Sequence, residues 1–93
     1  MMIGIENTGE ERTLDYRVVE QKSDGSSILI TQTFSTPLMI IAGRIKDYIG
    51  KRREEIVLFS NWDWEIDKRG VIESRLHKLR RELIYRGVNA RVI

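Results

Sequence analysis

The residues best suited to chemistry in this sequence are the basic ones of residues 67–86, DKRGVIESRLHKLRRELIYR. This stretch carries seven basic residues against three acidic ones. Guanidinium and ammonium groups neutralise phosphates, and each such contact releases counterions from a nucleic acid. Serine, histidine, lysine and arginine side chains can also reach base edges in a major groove. The stretch therefore predicts an anion-binding surface, with double-stranded DNA as the partner.

An apolar stripe predicts that the same stretch is a helix. Asp67 is a good N-cap, and residues 87–89 (GVN) end the helix with a turn. Four apolar residues fall within about 60° on a helical wheel and form the buried stripe: Ile72, Leu76, Leu79 and Leu83. The candidate DNA contacts are Arg69, Ser74, Arg75, His77, Lys78, Arg80 and Arg81. The alternative is a solvated helix whose basic residues pair with neighbouring glutamates.

Composition excludes several other classes of function. The chain has no cysteine and one histidine, which argues against disulfides, a thiolate or histidine metal site, and a triad of the usual kind. Phosphate-binding loops and nucleophile elbows are absent from the sequence. We therefore expect no catalytic residue, no metal and no cofactor. No signal peptide or membrane-length apolar run is visible, so we expect a cytoplasmic protein without a membrane partner.

Charge is distributed unevenly along the 93 residues, which we interpret as one small domain. Residues 1–43 contain three basic and six acidic residues, a net charge of −3, whereas residues 44–93 contain thirteen basic and eight acidic residues, a net charge of +5. The positive half also has the stronger helical periodicity. This asymmetry supports a phosphate-bearing partner.

Residues 1–33 are predicted to be a β region. Residues 2–5 can form a short strand, and residues 13–20 alternate apolar and polar side chains with the period of a half-buried strand. Residues 22–27 (KSDGSS) form a turn cluster, and residues 28–31 (ILIT) follow as a second strand. The two longer segments predict a β-hairpin.

Residues 36–86 are predicted to form a three-helix core. Thr36 caps the first helix and Pro37 begins it, its apolar residues recur at helical spacing, and Gly50 ends it. The second helix runs from about residue 53 to residue 60, with Glu54 and Glu55 in its first turn. At least one of the tryptophans at positions 62 and 64 is expected to be buried at the junction before the third helix. Residues 90–93 form a terminal strand that pairs within the sheet or with a second copy.

From Ile28 onward the sequence resembles the OmpR/PhoB-type winged-helix effector domain of bacterial response regulators. Three segments carry the resemblance: ILITQTF at residues 28–34 is similar to the family's "LT…EF", KRREEIVLFSNW at residues 51–62 to "SREELL…VW", and IESRLHKLRREL at residues 72–83 to "VDVHISRLRKKL". The resemblance implies an α+β winged helix-turn-helix with an N-terminal antiparallel sheet, a three-helix core and a short C-terminal strand. It implies a sequence-specific transcription regulator whose third helix enters the major groove.

The sequence departs from that family in two ways. It ends at Arg91-Val92-Ile93, where the first strand of the wing would be under way, so the wing is absent, supplied by another chain, or lost because the chain is a fragment. A receiver domain does not precede the sheet. A homodimer would enlarge the DNA contact. The alternative function is protein docking, with loop residues 60–66 contacting RNA polymerase or another regulator.

Overall fold

The computed structural model describes residues 1–7, 16–34, 36–60 and 66–93, and the side chains among them other than 7 and 66–74. Three strands precede the first helix, and the elements follow along the chain in the order β1 Met2–Asn7, β2 Tyr16–Gln21, β3 Ser27–Thr33, α1 Leu38–Ile49, β4 Ile56–Ser60, α2 Ile66–Tyr85 and β5 Ala90–Val92. None of the described helices is long and apolar enough to cross a membrane.

The five strands form one mixed sheet in the order β3-β2-β1-β4-β5. β1 pairs antiparallel with β2 and parallel with β4, β2 pairs antiparallel with β3, and β4 pairs parallel with β5. Among these strands β2 therefore runs opposite to the other four. Parallel neighbours need crossover connections; α1 leads from β3 to β4, and α2 leads from β4 to β5.

β1 lies at the centre of the sheet because its apolar residues suit a strand that is covered on both faces. Ile3 and Ile5 are buried in the core shared with the helices. Gly4 points to the opposite face, where a Cβ atom would lie 2.9 Å from the Phe59 ring and 3.4 Å from Val19. The missing side chain at Gly4 thus lets an aromatic ring lie across the middle of the sheet.

Both helices pack on the face of the sheet that carries Ile3 and Ile5. α1 buries the residues that recur at helical spacing, which are Ile41, Ala42, Ile45 and Ile49. α2 buries Leu76, Leu79 and Leu83 of the predicted stripe, while the side chain of Ile72 lies outside the described ones. The two helices contact each other, and α2 also packs on β4 and β5. The predicted helical faces are confirmed for the described side chains.

The predicted winged helix-turn-helix is wrong. The described chain has a five-stranded mixed sheet and two helices, whereas a winged helix has a three-helix core. The N-terminal strands are not a small sheet beside that core, because β1 joins them to β4 and β5. The last strand, β5, pairs in parallel with β4 as a sheet edge and is not the first strand of a wing.

The second predicted helix is the error from which the others follow. Residues 56–60 form the buried strand β4, and Glu54 and Glu55 precede a strand instead of opening a helix. A short apolar run such as IVLF fits a buried strand as well as a helix. Its β-branched residues and its length of five residues favour the strand.

The remaining predictions have mixed outcomes. The hairpin is confirmed, with Gly25 at a φ of 90° in its turn, and the strand near the N-terminus is confirmed as β1. The first helix ends at Gly50 as predicted, but it begins at Leu38, with Pro37 as its N-cap in place of Thr36, and no side chain caps it. The Thr36 hydroxyl instead donates a hydrogen bond to the Phe34 carbonyl oxygen over 3.3 Å. The two tryptophans and most of the loop at 60–66 lie outside the described residues.

Candidate anion-binding sites

The outward ridge of α2 is formed by three of the predicted DNA contacts. His77, Lys78 and Arg81 are exposed, and residues three and four apart on a helix share one face. Within the described part of the chain, Lys78 and Arg81 make no ion pair. The side chains of Arg69 and Ser74 lie outside the described ones, so their contacts with DNA stay a prediction.

The other two predicted contacts have partners within the protein. Arg75 Nη1 donates a hydrogen bond to the Tyr16 hydroxyl over 2.7 Å, and Arg80 Nε donates to the Ala90 carbonyl oxygen over 3.0 Å. Both guanidinium groups therefore tie α2 to the sheet, Arg75 to β2 and Arg80 to β5. Contacts from Arg75 and Arg80 to DNA also stay a prediction, but those side chains would have to leave these partners.

A hollow of about 450 Å³ lies between the start of α1 and the ridge of α2. Lys78 and Arg81 line it together with Glu82, Pro37, Leu38 and Met39. The negative charge of Glu82 does not neutralise Lys78 and Arg81, because it is offset by Arg86, whose Nη1 donates a hydrogen bond to the Glu82 carboxylate over 2.7 Å. Arg86 Nη2 also donates to the Met39 carbonyl oxygen, which fixes the end of α2 against α1. The hollow is therefore electropositive.

The N-terminus of α1 opens beside this hollow. The amides of Ile40 and Ile41 donate to the Pro37 carbonyl oxygen, and neither a side-chain cap nor an acidic residue occupies the first turn. The N-terminal end of a helix carries a partial positive charge from its unpaired N–H groups. That charge adds to those of Lys78 and Arg81.

A second basic surface lies at the other end of α1, which we call the basic cleft. It has a volume of about 640 Å³ and lies where the α1–β4 and α2–β5 connections meet. It is lined by Lys46, Lys51, Arg52 and Arg53, with Glu54, Ile49, Gly50, Gly87, Val88 and Asn89. Four cations and one carboxylate give the cleft a net charge of +3. Within the described residues, the side chains of Lys46, Lys51 and Arg53 have no hydrogen-bond or ion-pair partner.

Two left-handed glycines line the basic cleft. Gly50 has a φ of 63° and Gly87 a φ of 81°, and neither has a heavy atom within 4 Å of a Cβ position. At Gly87 the chain closes α2 with two hydrogen bonds, from its own amide to Ile84 O and from the Val88 amide to Leu83 O. This is a Schellman motif, and it satisfies carbonyl groups that would otherwise repel an anion.

Arg52 closes the end of α1 in a similar way. Its guanidinium donates hydrogen bonds to the carbonyl oxygens of Ile49 and Tyr48 and lies 5.6 Å from the centre of the Tyr48 ring. The Tyr48 hydroxyl in turn donates to the buried carboxylate of Glu20 over 2.6 Å, and Lys22 lies 3.0 Å from the other oxygen of that carboxylate. The network anchors this wall of the cleft to β2.

Hydrogen bonding sets the protonation of this network. The bond from Tyr48 is the main reason that the pKa of Glu20 is lowered, and Lys22 lowers it further. The same bond raises the pKa of Tyr48, and the partnership with Glu20 raises the pKa of Lys22. Glu20 is therefore held as a carboxylate although it is 6% exposed.

No family model, curated protein or solved structure matches this chain. The function is therefore inferred from the two basic surfaces themselves. Among the described residues, no group of three or more histidines, cysteines, aspartates or glutamates is arranged to hold a metal ion.

The sequence predictions did not include the basic cleft as a site. Because the sequence predicts a helix from about residue 53 to residue 60, residues 51–53 lie between two predicted helices and are not expected to form part of a site. A local signal was present: the segment KDYIGKRR at residues 46–53 has one cation before Gly50 and three directly after it. The contribution of residues 87–89 has no local signal, because it depends on β5 lying beside β4.

Arg80 and Arg81 form a matched pair for testing which cations stabilise the fold. Arg80→Met removes the hydrogen bond to the Ala90 carbonyl oxygen and should lower the free energy of unfolding by about 1.5–3 kcal/mol, the usual worth of a bond to a charged group. Arg81→Met removes an exposed cation and should change it by less than about 0.5 kcal/mol. Urea unfolding followed by circular dichroism measures both. Equal losses of unfolding free energy in the two variants would contradict the conclusion that Arg80 stabilises the fold and Arg81 does not.

Glu20 should make stability depend on acidic pH. Because the folded pKa of Glu20 lies below its value in the unfolded chain, its contribution is complete above the unfolded value, near 4.5, and is lost as the pH falls through the folded value. Between pH 7 and pH 3 the wild type should therefore lose more unfolding free energy than Glu20→Gln. Denaturant titrations at both pH values measure this difference. Asp47→Asn, which alters an exposed carboxylate that has no ion-pair partner among the described residues, is the control and should follow the wild type.

Proposed function

We propose that this protein binds double-stranded DNA through the ridge of α2 and the adjoining hollow. The single observation that carries the proposal is the pair of exposed cations, Lys78 and Arg81, beside the uncapped start of α1. A phosphate in the hollow would meet two cationic side chains and a helix N-terminus, which together form a favourable anion site. His77 lies on the same ridge, within reach of a neighbouring phosphate or base edge.

Some cations of α2 bond to groups of the protein and others do not, and this difference supports the proposal. Arg75, Arg80 and Arg86 bond to groups of the protein, whereas Lys78 and Arg81 point outward without a partner in the described part of the chain. Cations that stabilised only the fold would be expected to find internal partners in the same way. The outward pair is therefore available for an external anion.

In this fold α2 would contact DNA differently from the recognition helix of a winged helix. α2 is held against the sheet along Leu76, Leu79 and Leu83 and offers one narrow ridge. Contacts from such a ridge are mostly to phosphates, which position a protein without specifying sequence. We propose that any sequence preference comes from His77, Lys78 and Arg81, and that a role in transcription regulation would depend on it.

A titration with fluorescent duplex DNA at several salt concentrations tests the proposal. Arg81→Ala should weaken binding and reduce the slope of log K against log salt by about 0.9, as expected for one lost phosphate contact. The double variant Lys78→Ala/Arg81→Ala should reduce it by roughly twice that amount. Arg17→Ala is the matched control, because Arg17 is an exposed cation on the opposite face of the sheet. Absence of duplex binding at low salt, or an equal loss with Arg17→Ala, would refute the proposal.

A protein contact is the second candidate function. Phe34, Met39 and Ile40 are 71%, 56% and 45% exposed around the start of α1, and clustered exposed apolar side chains are typical of interaction surfaces. A second copy of the chain is the occupant we propose, and because Met39 also lines the hollow, a dimer through this face would cover the phosphate site instead of acting together with it. Sedimentation equilibrium should show a dimer that Met39→Lys dissociates and Tyr85→Lys does not. A monomeric wild type would remove this candidate.

A further inference from the structure

The basic cleft differs from the α2 ridge in the number of cations that line it. The hollow at the ridge is lined by two cations, whereas the cleft is lined by four. Leu38 lines the hollow and Ile49 lines the cleft; they begin and end α1, and their separation of eleven residues places the two sites roughly 16 Å apart at 1.5 Å per residue. One phosphate cannot occupy both.

The charge of the cleft suits a dianion. Lys46, Lys51, Arg52 and Arg53 contribute four positive charges, and Glu54 contributes one negative charge that the N-terminal amine of Met1 offsets from 3.9 Å. A terminal phosphate carries a charge of about −1.5 to −2 at neutral pH, whereas a backbone phosphodiester carries one. The excess of cations in the cleft therefore favours a phosphomonoester.

The shape of the cleft favours a ligand larger than phosphate alone. Its volume of about 640 Å³ lies within the usual range of roughly 300–1,000 Å³ for small-molecule sites. Ile49 and Val88 give it an apolar floor, and Asn89 places an exposed amide at its rim. The open space at Gly50 and Gly87 leaves their backbone accessible from the cleft. A concave site of this size admits a nucleotide or a strand end but not the side of a duplex.

We propose that the basic cleft binds a phosphomonoester carried on a group of nucleotide size. Lys51 and Arg53 contact the phosphate directly, because they are exposed and have no partner in the described residues. Arg52 is held by the carbonyl groups of α1 and the Tyr48 ring, so it forms a fixed positive wall. The ligand is either a free mononucleotide or the 5′-phosphorylated end of a nucleic-acid strand. This site does not depend on duplex binding by the ridge.

Isothermal titration with adenosine 5′-monophosphate and adenosine tests the cleft with a small ligand. The monophosphate should bind and adenosine should not. The double variant Lys51→Ala/Arg53→Ala should weaken binding of the monophosphate at least ten-fold, and circular dichroism should show an unchanged fold, since neither side chain has a partner among the described residues. Lys78→Ala/Arg81→Ala is the matched control and should bind the monophosphate as the wild type does.

Fluorescence polarisation with a 3′-labelled single strand, bearing either a 5′-phosphate or a 5′-hydroxyl, distinguishes the two sources. Tighter binding of the phosphorylated strand, lost in Lys51→Ala/Arg53→Ala, identifies a strand end. Binding of the mononucleotide alone identifies a free nucleotide. Either of these two results supports the proposal that the cleft binds a phosphomonoester. Equal binding of the two strands, together with no binding of the mononucleotide, would overturn the proposal. So would an unchanged affinity in Lys51→Ala/Arg53→Ala. Duplex affinity measured with the same variants reports on the α2 ridge separately.

Discussion

The parallel pairing of β1 with β4 is the interaction on which the rest of the structure depends. It sets Ile3 beside Leu58 and Gly4 beside Phe59, while the other edge of β1 pairs with β2. The N-terminal hairpin and the two crossover connections therefore share one sheet and one core. Because α1 leads into β4 and α2 leads out of it, this pairing also fixes the ends of both helices. The basic cleft is formed where the ends of α1 and α2 meet, and the hollow lies between the start of α1 and the ridge of α2.

The cations of the positive half fall into two groups that differ in the partner they meet. Arg52, Arg75, Arg80 and Arg86 donate to carbonyl, hydroxyl or carboxylate oxygens of the protein, where a planar guanidinium with several donors satisfies groups that a helix or sheet edge leaves open. Lys46, Lys51, Arg53, Lys78 and Arg81 line the two concave surfaces without a partner among the described residues, and Arg52 belongs to both groups. Helix ends that would repel anions are satisfied from within, which leaves the outward charges free to act on a ligand.

Local patterns in the sequence were sufficient for the hairpin, for α1 and α2, and for the outward position of His77, Lys78 and Arg81. They were insufficient for β4, because IVLF satisfies a strand and a helix equally and the preceding glutamates resemble a helix start. Without β4 there was no neighbour for β1 or β5, and a three-helix core became the expected arrangement. Arg75 and Arg80 were assigned to the outward surface for a related reason. Their partners are fixed by the sheet, and Tyr16 lies 59 residues from Arg75.

The central position of β1 has a consequence for how the chain assembles. β1 is synthesised before the other described strands, yet Leu58, the neighbour of Ile3, follows 55 residues later. The β2–β3 hairpin and the two helices can form from local contacts, whereas closing a sequence separation of this length is slow and costs more chain entropy. Synthesis proceeds at roughly 5–20 residues per second. One edge of β1 therefore stays unpaired for several seconds, until β4 has been synthesised. The strand that precedes all the other described elements is thus among the last to be fully enclosed.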